Sequence, residues 1–298
     1  MRVVTLLPAA TEIVAALGGA GHLVGISHEC DYPPALMHLP RVTATTVDTE
    51  APGAAIDAEV RRLRETGRPV IAADAEQLRR LAPDLIVTQG VCQVCAVADG
   101  EVRRLADALA PVPVVLSLQA ATLAGIFEDI RAVARAIDLD PEADELVAGL
   151  ESRLARLRAR RPDGRPRVVC IEWLDPLYLA GHWVPELVAA AGGEDVGAAR
   201  GSHSARREWG ALAALRPDVV AIMLCGFGVE RARRELAAVT DRAARAVLGA
   251  GPVWVLDGNA YTSRPGPRVV DGAERLAAML HGREAPGLAR WSAPWPAP

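Results

Sequence analysis

The 298-residue chain is 51% apolar and 23% charged, so it can bury a large core, and its length allows one large domain or two medium ones. A formal net charge of −4 excludes the broad basic surface that would attract nucleic acid or an anionic membrane. No apolar stretch is long enough to span a bilayer, which excludes membrane insertion by a helix.

The first element is a short apolar strand, Val3–Leu6. Pro8 interrupts the run, and Glu12 sits where the apolar core of a secretory leader would continue, so no export signal is read here. The expectation is a cytoplasmic protein whose five cysteines (30, 92, 95, 170 and 225) are reduced, and an odd count fits a disulfide framework poorly. Glu12–Leu17 reads as a helix stopped by Gly18-Gly19. Strand Leu23–Ile26 runs into Ser27-His28-Glu29-Cys30-Asp31-Tyr32-Pro33. A helix carrying Leu78 and Leu81 ends before Pro83, and Pro83-Asp84 turns the chain into strand Leu85–Thr88. Then comes Gln89-Gly90-Val91-Cys92-Gln93-Val94-Cys95, followed later by the apolar run Pro113–Leu116. Leu123, Ile126, Ile130, Val133 and Ile137 form one helical stripe; Asp140-Pro141 caps another that runs to Pro162-Asp163-Gly164. A helix of about 20 residues spans about 30 Å, so this joint is stiff and permits little hinge closure.

The second half repeats the first. Arg2-Val3-Val4 returns as Arg167-Val168-Val169, and Glu12 to Gly19 as Glu186 to Gly193. Leu78 to Val87 returns as Leu212 to Ala221, including its Pro-Asp, and Pro113 to Leu116 loosely as Pro252 to Leu256. Four blocks in one order argue for two similar lobes rather than coincidence. The Val-rich runs are apolar on both faces, as buried parallel strands are, and strands alternate with helices. The expected class is α/β: an N-terminal lobe (1–118), a linking helical segment (119–163), a C-terminal lobe (164–281) and an extended tail (282–298).

Ligands of open parallel sheets bind beyond the carboxyl ends of the strands, and there the unusual residues of this chain gather. In the first half they are Pro8, Ala10, Thr11, His28, Tyr32 and Gln89; in the second, Trp173, His182, Trp183, Phe227, Asp257, Asn259, Tyr261 and Arg264. Flat aromatic surface beside amide-reading polar groups suits a large rigid ligand with a polar fringe. For Trp173 or Phe227 taken singly, core packing explains the side chain about as well. Cys92-x-x-Cys95 admits a redox pair, half a metal site completed by His28 and Cys30, or two packed thiols; a structural zinc needs four ligands. A thiol- or metal-dependent enzyme built on these four residues is therefore the alternative function. Cys170 falls within a strand and reads as core. No nucleophile elbow, phosphate loop, His-Glu-x-x-His or dinucleotide fingerprint is present, so no enzyme class is indicated and no cofactor is required.

The blocks Arg2 to Glu12, Gly25 to Pro33, the Pro-Asp stretch and Arg264-Pro265-Gly266-Pro267-Arg268 resemble the helical-backbone, or class III, periplasmic binding proteins over residues 1–281. Among these, the cobalamin binders of vitamin importers are the best-known relatives. The resemblance implies two Rossmann-like lobes joined by a long helix, with a ligand cleft between them. It implies a corrinoid or related tetrapyrrole or metal chelate as ligand, with Asp257 on the ligand's side chains. Pro8, Ala10 and Thr11, and Tyr32, would approach from the first lobe. The His-Cys and paired-Cys segments depart from the transport members and resemble a subgroup without an export signal. Transport members dock to an ABC permease through one acidic residue per lobe. Glu76 matches the first, but Gly210 occupies the second position in the register of the repeat.

Overall fold

The computed structural model describes residues 1–90, 97–160 and 164–292, and it separates into two compact units. Unit 1 comprises residues 1–51, 55–120 and 124–149; unit 2 comprises 52–54, 121–123 and 150–298.

In unit 1 the order is β1 (Val3–Thr5), α1 (Pro8–Ala16), β2 (Leu23–Gly25), β3 (Thr43–Thr45), α2 (Gly53–Glu65), β4 (Ile71–Ala73), α3 (Ala75–Leu81), β5 (Leu85–Gln89), α4 (Asp99–Asp107), β6 (Val114–Leu118), α5 (Leu123–Ala136) and α6 (Asp140–Ala159). Four strands form a parallel sheet in the order β2-β1-β5-β6, and β3 pairs with β4 as a separate antiparallel ribbon. Val4, Leu6 and Ile86 project from the sheet into a core with Val42, Leu63, Leu78 and Val102. The joint is two helices, and α6, 20 residues long, passes from unit 1 into unit 2 between Gly149 and Leu150.

Unit 2 continues with β7 (Arg167–Leu174), β8 (Leu177–Leu179), α7 (Val184–Ala191), β9 (Glu194–Asp195), β10 (Ala205–Arg206), α8 (Trp209–Leu212), β11 (Val219–Ile222), α9 (Val229–Ala237), α10 (Arg242–Gly249), β12 (Val253–Leu256), α11 (Gly258–Tyr261), α12 (Val269–Leu280) and β13 (Leu288–Trp291). Its parallel core, β9-β7-β11-β12, has the strand order of unit 1. The expected parallel strands are joined here by antiparallel additions. β8 folds back antiparallel on β7 and β10 on β8, while β13 adds an antiparallel edge beside β12. The start of the expected tail is thus drawn into the sheet, because Leu288 and Trp291 bury against it. Trp295 and the prolines after it lie outside the described residues.

The internal repeat is visible atom by atom. Asp84 Oδ2 accepts the Arg2 N–H at 2.6 Å, and Asp218 Oδ2 accepts the Arg167 N–H at 2.7 Å. The Asp84 and Asp218 N–H groups return bonds of 2.8 Å to the Arg2 and Arg167 carbonyls. Each arginine reaches back with its guanidinium to a carbonyl at the end of the preceding helical turn, Arg2 to Leu81 and Arg167 to Leu215 and Arg216. Those turns both end on a left-handed residue, Ala82 and Arg216, at φ of 40° and 45°. α1 and α7 likewise end where Gly18 and Gly192 take φ of 77° and 100°, a region nearly closed to residues with a Cβ.

A candidate ligand-binding cavity

Each unit places its candidate residues beyond the carboxyl ends of its parallel strands. In unit 1, Pro8, Ala10 and Thr11 make the first turn of α1 and are buried. Thr11 joins a chain of buried hydroxyl and thiol groups: Thr5 Oγ1 lies 2.7 Å from Thr11 Oγ1, which lies 3.1 Å from Cys30 Sγ. His28 belongs to a second group. Its Nδ1 and its backbone N–H both meet Thr43 Oγ1, at 2.7 and 3.0 Å, and Ser27 Oγ braces that hydroxyl at 3.1 Å. Burial, helped by the nearby Arg41 charge, holds the His28 pKa down, which favours the neutral ring. Arg41 itself donates to the carbonyls of Ser27 and Cys30, which fixes the loop. Tyr32 is exposed and Gln89 half-buried at the end of β5.

Half of the four-residue metal site, His28 and Cys30, falls within the described residues. His28 and Cys30 turn to different partners, Thr43 and Thr11. Among the described residues no three His, Cys, Asp or Glu side chains gather as a metal site, and Cys92 and Cys95 lie outside the described residues.

In unit 2, Trp173 at the end of β7 and Phe227 in the loop after β11 come together, ring centroids 5.3 Å apart and planes tilted by 51°. The loop is held by local geometry. Gly226 takes φ of 74°, and the Phe227 carbonyl accepts the N–H groups of Gly258 and Asn259 at 3.1 and 3.3 Å. Gly258 fits only because it lacks a Cβ, which would collide with the Leu224 carbonyl. The two rings wall a cavity of about 380 Å³, rimmed by Asp175, Arg206, Arg207, Glu208, Glu235 and Asp241. The indole N–H of Trp173 is buried without a hydrogen-bond partner, and the Arg231 guanidinium stacks 3.8 Å from the Phe227 centroid.

The other candidates of unit 2 have structural work. Asp257 Oδ1 accepts the Ala260 N–H at 2.8 Å as the N-cap of α11. Asn259 Oδ1 accepts from Arg264 Nη2 at 2.8 Å, and Arg264 is buried. Tyr261 packs beneath the Arg275 guanidinium, 3.7 Å from its ring centroid. Trp183 is buried and donates to the Thr262 carbonyl at 3.0 Å. His182 adopts φ of 54° and sets its ring 5.4 Å from that of His203, edge to face; burial and then that neighbour lower its pKa. Cys170 is core, as expected, and burial pushes its thiol up.

Sequence reasoning missed Arg206, Arg207, Glu208, Glu235 and Asp241. The first three lie on or beside β10, an antiparallel addition that no rule about parallel strand ends reaches. Trp173 and Phe227 carried a readable signal as aromatics directly after strands.

Two α/β units of like strand order, one bearing an aromatic-walled cavity at its strand ends, define a ligand-binding protein of the two-lobed kind. Residues 3–246 match the periplasmic binding protein family, and the chain belongs to it. The family is one of substrate-binding proteins for small molecules rather than of enzymes, which sets aside the enzyme alternative. Among solved structures the chain is similar to the periplasmic vitamin B12 binding protein BtuF of Vibrio cholerae, with 23% identity, 94% of this chain and 96% of that chain covered, and a TM-score of 0.65. It is also similar to the periplasmic heme-binding protein RhuT from Roseiflexus sp. RS-1, with 22% identity, 94% and 98% coverage, and a TM-score of 0.65. A possible iron-binding protein from Staphylococcus epidermidis reaches a TM-score of 0.68 at 18% identity, with 94% and 98% coverage. At these identities the likeness is one of fold. No curated protein matches the sequence.

Proposed function

We propose that this protein holds a corrinoid or a related tetrapyrrole or metal chelate, and that it does so in the cytoplasm. The observation that carries the ligand class is the cavity of unit 2 at the ends of the parallel strands, where the half-buried Trp173 ring, backed by Phe227, lies among charged side chains. That similar folds include proteins described as binding vitamin B12 and heme supports the same class. Titration with cobalamin, cobinamide and haem, followed by visible absorbance and calorimetry, tests it. Saturable binding of at least one is expected, weakened tenfold or more by Trp173→Ala or Phe227→Ala. The absence of saturable binding by all three would sink the reading.

A cytoplasmic location is supported by Cys30, Cys170 and Cys225, free cysteines among the described residues, which suit a reducing compartment. Fractionation of the native host, with the mature N-terminus mapped, decides it. Permease docking is disfavoured by one pair of positions. Glu76 projects from the first turn of α3, whereas its counterpart on α8 is Gly210, whose missing side chain leaves open space.

A further inference from the structure

We infer that the unit 2 cavity selects a macrocycle whose edge carries amide or other N–H donors and rejects one fringed with carboxylates. This rests on the tetrapyrrole reading and narrows it. Two arginines, Arg206 and Arg207, line the cavity together with four carboxylates: Asp175, Glu208, Glu235 and Asp241. Arg231 adds a third cation, but its guanidinium is spent on the Phe227 ring. The balance stays negative with all three counted.

Two of the carboxylates are partly committed, each through one oxygen. Glu235 Oε2 accepts the Gly53 N–H at 3.2 Å, and Asp241 Oδ1 caps α10 by accepting the Ala244 N–H at 2.7 Å. Asp175 and Glu208 are exposed on the rim. A carboxylate accepts hydrogen bonds and donates none, so the rim offers a surplus of acceptors. A primary amide brings two N–H donors to such a rim, whereas an ionised acid brings only charge of the wrong sign. Like charges juxtaposed at an interface are a strong discriminator between otherwise similar partners. Trp173 offers apolar surface to any flat ring; the charged lining therefore decides which ring is kept. A cavity of about 380 Å³ is near the lower bound for a drug-sized ligand, so it takes one edge of a macrocycle, and the edge chemistry is what it reads.

The test holds ring and metal constant. Cobinamide, a corrin fringed with amides, is compared with cobyrinic acid, the same corrin with free carboxylates, by tryptophan quenching and calorimetry on the full chain. Haem, with its two propionates, is the third probe. Cobinamide should bind at least tenfold more tightly than cobyrinic acid or haem. In the double variant Asp175→Asn, Glu208→Gln, whose sites are exposed and whose folding circular dichroism checks, that ratio should fall toward one. Equal or tighter binding of cobyrinic acid or haem overturns the inference while leaving the tetrapyrrole reading intact. A ratio unchanged in the double variant overturns the role of the rim. Failure of all three probes to bind removes both the inference and the reading beneath it.

Discussion

At the scale of single residues, two carboxylates carry local structural duties. The family resemblance puts Asp257 on the ligand; in the structure it caps α11, and replacing such a cap by alanine costs about 1 kcal/mol. Asp257→Ala should therefore lower the stability of the unliganded protein by about that much in urea unfolding. Asp257→Asn keeps a capping oxygen, so any loss of corrinoid affinity in the asparagine variant reports a ligand contact rather than the cap. Equal stability of the wild type and the alanine variant would refute the capping role. Asp195 is the second case. Burial raises its pKa from 3.8 to about 6, against the pull of the Gly197 and Ala198 N–H groups. A raised carboxylate pKa favours the folded state while the group is protonated in both states, and this contribution is lost as pH climbs from about 4 through 6. Asp195→Asn should accordingly gain about 1–3 kcal/mol of stability over wild type at pH 8, since each tenfold change in proton affinity is worth about 1.36 kcal/mol, and gain little at pH 4. A difference that does not change between these pH values would contradict the assignment.

At the scale of elements, most parallel strands were legible because burial on both faces leaves unbroken apolar runs such as Val168–Ile171 and Val253–Leu256, whereas the two polar residues of β9 leave none. Helix ends were legible where glycine or Pro-Asp marks a steric necessity, as at Gly192 and Asp218. β8, β10 and β13 were not, because each is two to four residues long and owes its existence to a partner rather than to its own pattern. The same limit hid half of the cavity rim: Arg206 to Glu208 matter through where β10 pairs, which no local periodicity records. β13 carries a testable consequence. Leu288 is buried and pairs with Leu256. Leu288→Ala should therefore cost about 2–5 kcal/mol, the range for buried leucine, measured by denaturant unfolding. A cost below about 0.5 kcal/mol would mean that the edge strand adds nothing to the fold.

At the scale of the whole molecule, a protein that binds its ligand only when folded gains stability by mass action. At a free ligand concentration one hundred times Kd the gain is about 2.7 kcal/mol. Thermal unfolding in the presence of cobinamide should thus shift upward by several degrees, and a tenfold weakening by Trp173→Ala should cut the shift at the same ligand concentration to about half or less. An unchanged midpoint in saturating cobinamide would speak against the binding reading.

The paired Arg–Asp clamps have a consequence for how the chain is made. Arg2 is tied to Asp84 and Arg167 to Asp218, so each half sets the alignment of its two central strands with residues of its own. A ribosome exposes Asp84 long before it reaches position 167, and the first half can align β1 on β5 while the second is still unwritten. The repeat thus divides one long folding problem into two shorter ones, solved in the order of synthesis.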